Sequence, residues 1–365
     1  MPLRLTCLSV HSVKGGVGKS TLATLAAISL ARTTQRPTWL VDMDLTGTSL
    51  ADVLPLEAPA WTMHEADKPL ALEQAPDGFH DVEATRAHIE RRATRPEPGR
   101  FDVPFLNDFI LHATPSWSQE NELHPKSLGW RLRGGASSLR VLPSSALPGD
   151  LDRILPVIFD EERSAFIEAR LEWLLAELLE DCGDLCVVFD TPPTIPGLSR
   201  SVLSLAHRLT TEPKRELSDD EGMPRKLLDA VVRWRAYLVA TLDHQDIRAV
   251  ARWLDRIPAA HQPPIVEVLI NRVERTDSAR AALQAILRGD RSGLAGLQPL
   301  VGALDVAIAA AAPQVLEGLD LKLREPRFVQ ESPTFGIFKT EDTPEDHGAL
   351  DPLLATWLAE EAHER

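Results

Sequence analysis

Apolar and polar positions follow two different rhythms along this chain, and the switches between them mark its elements. Leu3 to Val13 (LRLTCLSVHSV) is rich in β-branched and apolar residues and predicts a strand. A glycine-rich turn at Lys14 to Gly18 follows. Lys19 to Arg32 (KSTLATLAAISLAR) is dense in Ala and Leu and predicts a buried helix. Thr38 to Val41 (TWLV) predicts a second short strand, ending at Asp42-Met43-Asp44. Strand, helix and strand in this order form the βαβ unit of a parallel sheet.

From Leu56 onward the rhythm weakens. Proline becomes frequent, charges of both signs mix, and residues 56–138 read as a long insertion of short helices and irregular segments. The sheet pattern resumes at Leu139 to Pro143. An amphipathic helix centred on Ala165 to Leu179 leads to a buried strand, Leu185 to Asp190. Arg215 to Arg225 is an acidic, turn-rich loop. Tyr237 to Leu242 and Ile265 to Ile270 predict two further strands with a helix at Asp246 to Ile257 between them, and Pro299 to Ala303 predicts one more. The expected fold is therefore α/β: a doubly wound, mostly parallel sheet with helices on both faces. We expect a single domain over residues 1–365, carrying the insertion after its second strand and a C-terminal extension at 320–365.

Composition narrows the function classes. The chain has 365 residues, 44% hydrophobic and 25% charged, and a formal net charge of −15, which argues against a surface broadly coated for nucleic acid. Cys7, Cys182 and Cys186 are too few for a disulfide framework. Cys182 and Cys186 are spaced like metal ligands, but no Cys or His cluster stands near them, so buried reduced thiols in a cytoplasmic protein are the better reading. No apolar run is long enough to span a bilayer.

The segment Lys14-Gly15-Gly16-Val17-Gly18-Lys19-Ser20-Thr21 carries the chemistry. Phosphates bind where a strand turns into a helix, because the first helical turn offers backbone N–H groups without internal partners. Small residues let the loop wrap a triphosphate, a lysine supplies charge to the β- and γ-phosphates, and a hydroxyl supplies a magnesium ligand. The usual first glycine of such a loop is Val13 here, and an extra lysine, Lys14, follows it.

This loop resembles the K-G-G-x-G-K-[ST] loop of the ParA/MinD family of P-loop ATPases. The resemblance spans roughly Leu3 to Leu54 and Leu139 to about Leu319. It implies ATP and Mg²⁺ as cofactors, Lys19 and the loop N–H groups on the phosphates, and Ser20 on the metal. It implies that Lys14 reaches the phosphates of a partner subunit's ATP. Asp42-Met43-Asp44 is similar to the family's first switch, which would give Asp44 the attacking water and Asp42 the outer shell of Mg²⁺. Asp190-Thr191-Pro192-Pro193 is similar to the second switch, with Asp190 on the metal through water. Leu139 to Ser145 resembles the family's Leu-Pro-Ser segment. Asn271 falls where the family places an Asn against adenine, although a strand-terminating Asn in a turn reads equally well.

The implied function is a switch that dimerises with Mg-ATP and is released by hydrolysis, aided by an activating protein partner. A nucleotide-gated adaptor with negligible turnover is an alternative, and so is a carrier of a metal cofactor, to which the Leu-Thr-Gly-Thr-Ser continuation after Asp44 is similar. Arg86, Arg91, Arg92, Arg95, Arg100, Arg131, Arg133 and Arg140 are candidates for nonspecific DNA contact, against a self-neutralised surface in which Glu83, Glu90 and Glu97 intervene. The C-terminal stretch Asp351 to Glu361 has an apolar face at Leu354, Trp357 and Leu358, but its polar face is acidic, so no membrane contact is expected. Trp61, Trp117 and Trp130 read either as a binding surface or as a small core of the insertion. His11 reads as a core residue.

Overall fold

The computed structural model describes residues 3–45, 49–63, 72–94, 103–112, 125–160, 164–193, 197–211, 224–241, 246, 249, 266–273, 327–330 and 354. Strand β1 (Arg4–Ser12) leads through the loop into α1 (Lys19–Thr34) and back to β2 (Thr38–Asp42). A single-turn helix, α2 (Leu50–Val53), opens the inserted region. That region contains β3 (Leu56–Glu57), β4 (Pro59–Met63), β5 (Leu72–Phe79), α3 (Val82–Thr94), α4 (Leu106–His112), a 3-10 turn (Pro125–Leu128) and β6 (Arg131–Leu132). The main sheet resumes with β7 (Leu139–Leu142), α5 (Pro148–Ile158), α6 (Ser164–Cys182), β8 (Asp184–Pro193), α7 (Leu198–Thr211), α8 (Arg225–Asp229), β9 (Val231–Ala240), β10 (Val266–Val273) and β11 (Arg327–Gln330).

The seven strands lie in the order β11-β10-β9-β1-β8-β2-β7, and every pairing among them is parallel. β1 is central and buried on both faces. Leu5 and Cys7 enter one core with Leu171, Leu175 and Val202 of α6 and α7, while Leu8 and Val10 enter the other with Leu22, Ala26 and Leu30 of α1. This alternation is the period of two that a strand imposes. α1 is buried almost all round, and Ala23, Ala26, Ala27 and Ala31 let it sit close to the sheet. Burying Leu22 and Leu30 contributes about 1.5–3 kcal/mol each. Helices thus cover both faces, as a doubly wound sheet requires.

The insertion is closed at its neck. Leu56 pairs with Leu132 in the antiparallel β3–β6 ribbon, and Trp130 bridges Val141 of β7. Trp130 is fully buried beside Phe105, and its indole N–H donates to the Pro104 carbonyl at 2.8 Å. Trp130 is therefore a core residue. Phe109 of α4 stacks on Trp173 of α6 at 5.1 Å, so the inserted helices share the domain's cores.

Several elements differ from the sequence expectation. β8 runs past Asp190 to Pro193, β9 starts already at Val231, and Asn271 lies within β10. Helices α5, α7 and α8 were not predicted. The stretch after residue 320, expected as an extension, supplies the edge strand β11, paired Leu269 to Arg327, and the buried Leu354 against Leu8, Val10 and Leu22. The predicted strand at Pro299–Ala303, Trp117, Trp357, Arg95, Arg100, and nearly all of both the Arg215–Arg225 loop and the Asp246–Ile257 helix lie outside the described residues.

Candidate functional site

The carboxyl ends of β1, β2, β8, β9 and β10 share one edge of the sheet, the edge at which open α/β sheets place ligands. The loop leaves β1 there. Gly16 and Gly18 have φ of 81° and 88°, a left-handed backbone that glycine adopts without a Cβ penalty. Gly18 is the N-cap of α1 and gives no side-chain cap, and the first turn carries no acidic residue. Its N–H groups are thus oriented for an anion. Gly15 and Gly16 are exposed, and a Cβ on either would meet nothing within 4 Å. A Cβ at Gly18 would stand 2.4 Å from the Asn271 amide nitrogen. That nitrogen donates to the Val17 carbonyl at 2.8 Å, so Asn271 braces the loop from β10.

Lys19 turns inward from the loop and is only 6% exposed. Its Nζ donates to Asp190 Oδ1 at 2.7 Å and stands 3.6 Å from Asp44 Oδ2. Burial works against its charge, but Asp190, Asp44 and Asp42 outweigh burial and hold the ammonium's pKa above its ordinary value. Strand register makes Asp42 and Asp190 direct neighbours. Three carboxylates therefore face one ammonium, which leaves negative charge for a further cation to neutralise.

Asp42 differs from the other two carboxylates. It is fully buried, and its Oδ1 accepts the Asp44 N–H at 3.1 Å. Its Oδ2 accepts the Leu50 N–H at 3.0 Å, the Ser144 N–H at 3.2 Å and the Ser144 hydroxyl at 2.8 Å. Burial, with Asp190 beside it, raises its carboxyl pKa against those bonds. A carboxylate so occupied organises its surroundings rather than binding a metal directly. Ser20 and Asp190, which accepts from Lys19 here, are the residues that could hold a metal beside bound phosphates. Among the described residues no three His, Cys, Asp or Glu side chains are arranged to hold a metal by themselves. Magnesium at a nucleotide takes few protein ligands, so this donor set fits it.

Lys14 stands apart from Lys19. Its side chain is 49% exposed, and Nζ pairs with Asp246 Oδ1 at 3.0 Å. Asp246 also accepts from the Thr241 hydroxyl at the end of β9. Behind the site, His11 Nδ1 lies 2.9 Å from Ser199 Oγ and 3.1 Å from Thr191 Oγ1. Thr191 donates to the Val10 carbonyl at 2.9 Å and so ties the second switch segment to β1. Burial, then Lys19, lowers the His11 pKa to about 3.

Ser144, Asp246, Thr191 and the His11 contacts were not singled out from the sequence. Ser144 had a signal, since Leu-Pro-Ser-Ser follows a strand at the loop's own sheet edge. Asp246 had none, because its partner is far away in the chain. Arg92 was counted with the exposed arginines, but it is buried at 6% exposure and bound to Asp108 and Asp150 at 2.7 and 2.8 Å. It cannot serve a DNA-facing patch. Arg131 pairs with Glu57 and stacks over Phe79. Cys7 and Cys186 are buried in adjacent strands, and burial raises the Cys7 thiol well above its ordinary value. Thiols so placed do not form a cluster-binding pair. Among the described residues no helix is long and apolar enough to cross a membrane.

Residues 5–76 match a family model described as ParA: NUBPL iron-transfer P-loop NTPase. No curated protein sequence matches the chain. Among solved structures, apo McdA of Cyanthece is similar at 16% identity over 91% of this chain and 88% of that one, with a TM-score of 0.48. The MinD cell division protein of Aquifex aeolicus is similar at 13% identity over 97% and 96%, with a TM-score of 0.43. pnob8 ParA is similar at 12% identity over 97% and 94%, with a TM-score of 0.45.

Proposed function

We propose that the chain, whose residues 5–76 match the ParA P-loop NTPase model, is a switch of the ParA/MinD kind that pairs with a second copy when loaded with Mg-ATP and separates after hydrolysis. The observation that carries this reading is the buried Lys19, set among Asp42, Asp44 and Asp190 at the mouth of an open glycine cradle. The first-turn N–H groups and Lys19 hold the β- and γ-phosphates. Ser20 and Asp190 would hold Mg²⁺, which would neutralise charge on the phosphates. Asp42 would act on the ion only through water, and it fixes the segment that carries Asp44. Asp44 orients the attacking water, and no covalent step by the protein is needed. Asn271 props the loop on the side where the adenine is expected.

Lys14 supplies the link to pairing. It projects from the loop to the surface, where a second chain can present it to the opposite nucleotide. A positive charge that arrives only in the dimer would stabilise the transferring phosphoryl group only there. Turnover is slow without an activating protein partner. DNA contact, if made, uses Arg86 and Arg91 of α3 rather than Arg92.

Mass in solution with ATP and Mg²⁺ tests this directly. The wild type is expected to double in mass. Lys19→Ala is expected to lose nucleotide binding, and Lys14→Ala to keep binding while losing association and turnover. If Lys14→Ala associates and hydrolyses like the wild type, the dimer switch is wrong. A nucleotide-gated adaptor would instead show pairing with no single-turnover hydrolysis, with or without partners.

A further inference from the structure

Two adjacent serines join the nucleotide side of the molecule to the insertion. Ser144 gives both its N–H and its hydroxyl to Asp42 Oδ2, and its carbonyl accepts the hydroxyl of Ser49. Ser49 caps α2, whose Leu50 N–H reaches the same carboxylate oxygen. Ser144 is thus fixed on two sides to the segment that follows β2.

Ser145 is held in the opposite direction. Its N–H donates to Asn107 Oδ1 at 2.7 Å, and Asn107 Nδ2 donates back to its carbonyl at 3.1 Å. Its hydroxyl donates to Asp150 Oδ2 at 2.5 Å. Asp150 accepts from Arg92 Nε at 2.8 Å, and Arg92 grips Asp108 with two bonds of 2.9 and 2.7 Å. Arg92 belongs to α3, and Asn107 and Asp108 belong to α4. Asn107, Asp108, Ser144, Ser145 and Asp150 are all buried at 3% exposure or less.

One rigid peptide unit therefore separates two buried polar networks. The groups of both networks are buried, and breaking either network would strand buried charges, which is costly. A shift of Asp42 must then move Ser144, and with it the clasp on α4. Resting on the nucleotide-binding reading above, we propose that Ser144 and Ser145 couple Asp42 to the inserted helices, so that the buried α4 and the more exposed α3 respond to the nucleotide state. Ser144 is a positioning residue for Asp42, and Ser145 is the link to the insertion.

Hydrogen exchange of the full chain, with and without ATPγS and Mg²⁺, reads this without relying on turnover. In the wild type the ligand is expected to slow exchange in Lys14–Thr21 and also in Val82–Thr94 and Leu106–His112. Ser145→Ala is expected to keep the loop protection and lose the response of the two helices. Ser144→Ala is expected to weaken Mg-ATPγS binding about tenfold, the loss of one charge-assisted bond, and to leave magnesium-free ADP binding unchanged. Loop protection with no change in α3 and α4 of the wild type would overturn the coupling and leave nucleotide binding standing. An unaltered helix response in Ser145→Ala would overturn the route through Ser145. No protection of the loop at all would overturn nucleotide binding itself, and the coupling with it.

Discussion

Lys14 Nζ and Asp246 Oδ1 stand 3.0 Å apart within a single chain. The lysine that the proposed dimer would offer to a second subunit's nucleotide is thus held by a carboxylate of its own chain. The lysine end of the pair is half exposed, so the contact is screened and stabilises by about 1 kcal/mol at most. Asp246→Asn keeps an acceptor for Thr241 and removes the charge. It is expected to tighten Mg-ATP-dependent self-association about two- to fivefold, as read by sedimentation over a concentration series. Weaker association in this variant would mean that Asp246 serves the dimer and does not restrain it.

Gly18 is closed to side chains for two separate reasons. Its φ of 88° is left-handed, and a Cβ there would collide with the Asn271 amide at 2.4 Å. Gly18→Ala is expected to cost about 2 kcal/mol or more, since the backbone strain alone amounts to roughly 1–2 kcal/mol. Adding Asn271→Ala relieves the collision and not the backbone. The double variant should therefore recover part of the loss in urea denaturation. Full recovery would show that the φ at Gly18 relaxes freely.

Much of this site can be read in the sequence because its parts are local. The loop, its flanking strand and the Ala-rich helix are contiguous, Asp42 and Asp44 stand at the end of β2, and Asp190 closes the apolar run of β8 although that strand continues to Pro193. Parallel strands end together, so the pattern alone brings these residues to one edge. The insertion could not be read in this way. Phe109 is buried by Trp173 and Trp130 by Phe105, partners that no periodicity in residues 56–138 announces. Arg92 looked like its exposed neighbour Arg91 because both stand in a charged run. Only the fold shows that Asp108 and Asp150 converge on one of them. Asn271 lay in sight as an adenine contact, while its bond to Val17 depends on how closely β10 approaches the loop.

Arg91 and Arg92 are neighbours in sequence with opposite expected outcomes. Arg92→Ala strands the buried Asp108 carboxylate and leaves Asp150 to Arg153 and Ser145, and is expected to cost about 3–5 kcal/mol. Arg91 is exposed and, among the described residues, bonds to His88 and the Ala87 carbonyl, so Arg91→Ala should change stability by less than about 0.5 kcal/mol. Urea denaturation separates the two. Any DNA binding seen at low salt by fluorescence polarisation should fall in Arg91→Ala, and its full retention would remove α3 from the contact.

His11 makes the site sensitive to acid in a direction that its surroundings fix. His11 Nδ1 lies against the Ser199 and Thr191 hydroxyls, and Nε2 is buried with no hydrogen-bond partner among the described residues. A second proton on the ring would place charge in an apolar setting near Lys19, which is why the pKa falls from 6.5 to about 3. Between those values the unfolded chain binds a proton that the folded chain refuses. This contribution is therefore intact above pH 6.5 and is lost progressively as the pH falls toward 3, by about 1.4 kcal/mol per pH unit well inside the window. From pH 7.5 to 5.5 His11 should account for a loss of about 1.4 kcal/mol. His11→Asn retains a donor near the Nδ1 position and cannot titrate. Its unfolding free energy should fall less over the same interval by that amount. Equal slopes for variant and wild type in urea denaturation at the two pH values would show that His11 takes up its proton without unfolding the site.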